Sequence, residues 1–130
     1  GYDEAVILDH RGFISEGSGE NIFLVKDNIL YTPPSHASIL FGITRDTVMV
    51  LARDLGYRVV EEDLTRAMLY MADEAFFTGT AAEVTPIREV DDIPIGEGQP
   101  GPITLKLLKE YKAIVHGQKH KYEKWLTYVE

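Results

Sequence analysis

The chain has 130 residues, 45% of them hydrophobic and 26% charged, which is enough for one buried core and too balanced for disorder. It carries 13 Lys and Arg against 21 Asp and Glu, a net charge of −8, and no basic run that could neutralise a phosphate backbone, so nucleic acid is not an expected partner. Cysteine is absent, the four histidines (His10, His36, His116, His120) form no ligand pair of the H-E-x-x-H type, and no apolar run reaches the roughly 20 residues of a membrane span; no metal site and no membrane partner are expected.

The opening third predicts a β-meander. Glu4 to Asp9, Gly12 to Glu16 and Glu20 to Lys26 are short β-favouring runs, with turns at Arg11-Gly12 and Asp27-Asn28. Asp27-Asn28 ahead of Ile29 to Thr32 has the chemistry of a two-residue hairpin, since Asp and Asn tolerate positive φ. Pro33-Pro34 ends that strand. From Thr44 the period changes: Val48, Leu51, Ala52 and Leu55 share one helical face, with Arg45, Asp46, Arg53 and Asp54 elsewhere. Thr44 is the expected cap of this helix and Gly56 its left-handed stop.

Tyr57 to Glu61 then reads as a strand, Arg66 to Met71 as a short helix capped by Thr65, and Ala75 to Thr78 as a buried strand. Glu83 to Val90 is expected to be one strand, placed at an edge or bulge by Pro86. A loop from Gly96 to Gly101 leads to Pro102, suited to a first helical turn, and Ile103, Leu107, Tyr111, Ile114 and Val115 form an apolar stripe that stops at Gly117. Trp125, Leu126, Tyr128 and Val129 suggest a docking segment. Strands and helices in this order predict a single α/β or α+β domain over residues 1–130. Without an apolar run of membrane length or a charged, apolar leader pattern, a cytoplasmic protein is expected, and because the sequence starts at Gly1 and enters a strand pattern almost at once, a piece of a longer polypeptide or a processed chain is expected.

Three segments could carry chemistry. Glu16-Gly17-Ser18-Gly19-Glu20-Asn21 puts two glycines between strands with carboxylates at either side, so that backbone can approach a ligand closely; a tight turn with exposed glutamates has the same composition. Phe41-Gly42-Ile43-Thr44 leads into a helix N-terminus, whose free N–H groups and dipole suit an anion such as phosphate or simply water. No P-loop lysine is present, which argues against a P-loop nucleotide site. Phe76-Phe77-Thr78-Gly79-Thr80-Ala81-Ala82-Glu83 ends an apolar strand in small residues with hydroxyls, either a ligand-binding strand end or a bend made for packing.

These segments, together with Gly-Tyr-Asp-Glu-Ala (1–5), Y-T-P-P (31–34), S-I-L-F-G-I-T-R (38–45), G-P-I-T (101–104) and K-Y-E-K-W-L-T-Y-V (121–129), resemble the fold-type IV aminotransferases and, among them, the branched-chain amino-acid aminotransferases. The resemblance spans nearly the whole chain. It implies the carboxy-terminal domain of the D-amino-acid aminotransferase-like fold, with mixed strands in a pseudo-barrel flanked by helices. It further implies pyridoxal 5'-phosphate as cofactor, amino-acid and 2-oxo-acid substrates, an amino-terminal domain across the cleft, and a homo-oligomer. D-amino-acid aminotransferase, aminodeoxychorismate lyase and a non-catalytic phosphate-binding domain stand as alternatives.

Carried over residue by residue, the resemblance puts the Glu16 carboxylate on the pyridine nitrogen and Leu40 on the ring face. Gly42, Ile43 and Thr44 would lie at the phosphate with Gly79 and Thr80. Thr80 and Ala81 would offer N–H groups to the substrate carboxylate, and Gly19 would leave room for its side chain. The family's Schiff-base lysine precedes the Gly-Tyr-Asp-Glu-Ala segment, whereas all seven lysines here (Lys26, Lys106, Lys109, Lys112, Lys119, Lys121, Lys124) follow it. The isolated chain is therefore expected to be inactive.

Overall fold

The computed structural model describes residues 6–8, 11–17, 21–34, 43–79 and 83–115, the side chains of residues 6–8, 16, 17, 43, 83 and 115 excepted. The expected docking segment at 125–129, the helix stop at Gly117 and the His116/His120 stretch lie outside them.

The expected meander is instead two separate antiparallel pairs: the first stands as a two-stranded sheet of its own, and the second belongs to the main sheet. β1 (Val6–Leu8) pairs antiparallel with β2 (Ile14–Gly17), and β3 (Asn21–Lys26) with β4 (Ile29–Thr32). Asp27 and Asn28, at φ of 52° and 64°, make the hairpin turn between β3 and β4. A parallel partner cannot follow by a tight turn, and the chain leaves β4, forms α1 (Ile43–Asp54) and returns as β5 (Arg58–Glu61) parallel to β4. Gly56, at φ of +94°, closes α1 as expected.

α2 (Arg66–Met71) is capped by Thr65, whose hydroxyl accepts from the Met68 N–H at 3.1 Å. β6 (Glu74–Gly79) then enters the sheet beside β3, and β7 (Glu83–Pro86) pairs with β6 at the edge. The five-stranded mixed sheet has the order β5-β4-β3-β6-β7. The edge position expected for Pro86 is found, since a residue without an N–H is tolerated there.

The single strand expected over Glu83 to Val90 is instead two. After Pro86 the chain leaves the sheet and forms a hairpin of β8 (Glu89–Val90) and β9 (Ile93–Pro94), turning at Asp91 and Asp92 with φ of 52° and 65°. The Tyr70 hydroxyl donates to Asp91, tying this hairpin to α2. α3 (Pro102–Val115) follows, starting at Pro102 as its sequence predicts.

Central strands buried on both faces explain the near-continuous apolar runs of β3 and β6. On one face Phe23, Val25 and Phe76 meet Val48, Leu51 and Ala52 of α1 and Ile103, Leu107, Tyr111 and Ile114 of α3. On the other, Ile22, Leu24, Ala75 and Phe77 pack with Ile14, Leu64, Leu69 and Ile95. Phe23 stacks on Phe76, centroids 5.1 Å apart and planes 9° from parallel, worth about 0.5–1.5 kcal/mol beyond area burial.

Glu74 is buried at 7% exposure and is not an unpaired charge. Its Oε1 accepts from the Thr104 N–H and hydroxyl, both at 2.8 Å, and its Oε2 accepts from the Ile103 N–H at 3.3 Å. A strand carboxylate thus caps α3, where anion and helix dipole attract. A Cβ on Gly101 would stand 2.0 Å from Glu74 Cγ and Cδ, so the cap needs glycine there. Glu74→Ala strands these donors in the interior and is expected to lower unfolding stability by about 2–4 kcal/mol, read as a lower urea midpoint with unchanged slope.

Candidate functional site

Strand directions bring described residues of the three chemistry-bearing segments to one end of the sheet. Asn21 at the start of β3 lies opposite Thr78 near the end of β6, and Gly79 lies opposite Glu83. Thr32 at the end of β4 is in register with Glu61 at the end of β5. The chain leaves this same end at Pro33-Pro34 before α1 begins at Ile43. The starts of β3 and α1 and the end of β6 therefore share one rim, the carboxyl ends of the parallel pair, where sheet proteins hold ligands.

Ile43 is the first residue of α1, and its N–H and that of Thr44 have no partner within the helix, the ordinary state of a helix start. The expectation that Thr44 caps the helix is corrected: α1 starts one residue earlier, Thr44 lies inside the first turn, and its buried hydroxyl pairs with the Tyr111 hydroxyl of α3 at 3.3 Å. A hydroxyl held in this way does not compete for first-turn N–H groups.

Arg45 departs further from its sequence pattern. Placed off the apolar face, it is nevertheless 6% exposed, because its guanidinium finds the Pro33 carbonyl at 3.0 Å and Glu61 at 2.8 Å. The sequence hint is a carboxylate ending the parallel strand that follows the helix; nothing local marks it. Tyr111, predicted only as part of an apolar stripe, is likewise both core residue and polar partner. At the same rim the Thr32 hydroxyl donates to the Ile22 carbonyl at 2.8 Å, while the Thr78 hydroxyl is buried without a partner among the described residues.

Of the other expected site residues, Gly79 is the half-buried last residue of β6. Glu16 is placed by its backbone in β2, paired with Ile7, and its side chain is outside the described set. Gly19, Leu40, Gly42, Thr80 and Ala81 lie outside the described residues. Among the described residues no helix is long and apolar enough to cross a membrane.

Residues 1–90 match the amino-transferase class IV family, and the chain belongs to it. It is similar to the branched-chain-amino-acid aminotransferase of Pseudomonas aeruginosa, 54% identical over the whole of this chain and 42% of the relative's length. It is 49% identical to the enzyme of the same name from Escherichia coli K12, over 99% of this chain and 42% of that protein. Among solved structures, a branched-chain amino acid aminotransferase from T.th. complexed with N-(5'-phosphopyridoxyl)-L-glutamate superposes with a TM-score of 0.93 at 52% identity, covering 98% of this chain and 43% of that one. The chain thus spans less than half the length of these relatives.

The Thr44–Tyr111 pair yields a measurable coupling. Thr44→Val and Tyr111→Phe are each expected to cost about 1 kcal/mol in urea unfolding, and the double variant about as much as either alone, since both remove the same bond. Full additivity would show that the hydroxyls do not interact.

Proposed function

We propose that the chain is the carboxy-terminal, cofactor-holding part of an enzyme that transfers the amino group between Leu, Ile or Val and 2-oxoglutarate, with pyridoxal 5'-phosphate as cofactor. The convergence of Asn21, the start of α1 and the end of β6 on one rim carries this reading. The names of the relatives support the amino-acid class, and the phosphopyridoxyl ligand of the T.th. enzyme supports the cofactor. Cytoplasmic location, a homo-oligomeric parent and an amino-terminal domain closing the cleft belong to the same proposal.

The residues present fit a phosphate ester. The N–H groups of Ile43 and Thr44, without partners inside the helix, on a turn whose Thr44 hydroxyl is already engaged, are the donor set such a group takes. The Thr78 hydroxyl, without a partner among the described residues, adds polarity beside Gly79. Bound here, the cofactor would supply an electron sink for the substrate's α-carbon. Glu16 would face the pyridine nitrogen, where an adjacent carboxylate holds the proton on that atom. Leu40 would cover the ring face and exclude water. Gly42, Ile43 and Thr44, with Gly79 and the Thr80 hydroxyl, would hold the phosphate. The N–H groups of Thr80 and Ala81 would orient the substrate carboxylate, with Gly19 leaving space for a branched side chain.

Among the described residues no lysine is placed to make the covalent link. Lys26 ends β3 at the far end of the sheet, 3.4 Å from Asp73, and Lys106, Lys109 and Lys112 ride on α3. The 130-residue polypeptide alone is therefore expected to show no transfer from leucine to 2-oxoglutarate. Extended at its amino end to the length of its relatives, it should be active, and preference for D-alanine over leucine would overturn the substrate assignment. In that longer protein Glu16→Gln should lower turnover by about tenfold or more with the fold intact. Thr80→Val should raise the cofactor dissociation constant; an unchanged constant would remove Thr80 from the phosphate site.

A further inference from the structure

Arg45 has a side chain 8% exposed, and its three nitrogens are used unequally. Nη2 donates to the Pro33 carbonyl at 3.0 Å and to Glu61 Oε1 at 2.8 Å, Nη1 donates to Asp46 at 3.3 Å, and buried Nε has no partner among the described residues. Pro33 follows the end of β4 and Glu61 ends β5, neighbours through the Thr32 and Glu61 register. One planar guanidinium thus straddles the ends of the parallel pair while rooted in the first turn of α1.

Stability alone is a weak reason for this arrangement. Taking a cation out of water carries a desolvation penalty, and a pair with a carboxylate that is itself 41% exposed returns little of it. An apolar side chain at this position would pack without that penalty. What an apolar side chain cannot do is hold a helix start at a fixed place over two strand ends, which a rigid fork with several donors does.

We propose that Arg45 is a positioning residue: its tether to Pro33 and Glu61 fixes the Ile43 and Thr44 N–H groups over the ends of β4 and β5, and so sets the affinity of this turn for a phosphate ester. The inference rests on the reading of that turn as the phosphate site. Lysine in its place keeps the charge but not the fork, and Glu61→Gln keeps the shape but not the charge, so both variants loosen the same tether from opposite sides. The first turn of α1 then frays, while the later turns, held by Val48, Leu51 and Ala52 in the core, do not.

The test uses the full 130-residue chain with Arg45→Lys and Glu61→Gln, and Arg11→Lys as control, since Arg11 pairs at the surface with Asp63 at 3.0 Å, a carboxylate that is not a partner of Arg45. Two quantities are read: amide hydrogen exchange along α1, and the dissociation constants of pyridoxal phosphate and of pyridoxal, taken by NMR titration. In Arg45→Lys, exchange at Thr47 and Val48, bonded into the first turn, should rise about tenfold while that of Leu55, bonded to the Leu51 carbonyl, stays put. The preference for pyridoxal phosphate over pyridoxal should fall about tenfold, less in Glu61→Gln, and not at all in Arg11→Lys. An unchanged preference in Arg45→Lys, or exchange rising equally at Leu55, overturns the positioning role alone. No preference for the phosphorylated compound in the unsubstituted chain overturns the phosphate reading, and this inference with it.

Discussion

Asn21 lies opposite Thr78 and Val25 opposite Glu74, and this antiparallel register of β3 on β6 commits both faces of the sheet at once. Side chains alternate along a strand, so a slip of one residue would exchange Phe23 and Val25, which meet the helices, with Ile22 and Leu24, which meet Ile14 and Leu69. Neither face could accommodate the other's set. The same register fixes where β3 begins and β6 ends, and therefore which loops share a rim. Core packing and site geometry follow from one pairing.

The two longer helices on that sheet are each located by a buried charge, in opposite ways. At α3 the Glu74 carboxylate sits on the first-turn N–H groups themselves and consumes them. At α1 the Arg45 guanidinium reaches past the turn to the strand ends, and the Thr44 hydroxyl is drawn off by Tyr111. α3 is closed as a structural element, whereas at α1 neither the Arg45 guanidinium nor the Thr44 hydroxyl occupies the first-turn N–H groups. The Thr44–Tyr111 bond also joins the two helices, so the cap on α3 and the tether on α1 belong to one mechanical unit.

Local chemistry made much of the fold legible. Asp27-Asn28 adopts the left-handed pair its composition suits, α1 buries the face its period marks, Thr65 caps α2 and Pro86 sits at an edge. What local chemistry cannot carry is partnership across distance. Arg45 is buried by a carboxylate 16 residues away and Glu74 by N–H groups about 30 residues away. The β8–β9 hairpin is hidden because Glu83 to Val90 keeps a β-favouring composition across a point where the chain leaves the sheet. Each site segment alone is ambiguous, a turn, a helix start and a bent strand; the family resemblance linked them, and the sheet register brings the described parts together.

Gly101 and Glu74 occupy one volume from two distant parts of the chain. In a lineage, neither position can drift by itself: a side chain at 101 evicts the carboxylate, and a shorter residue at 74 leaves α3 uncapped whatever stands at 101. Substitutions there should be inherited as pairs, with the single intermediates at a fitness disadvantage. This pair would therefore carry a record of common descent independent of the residues that touch substrate.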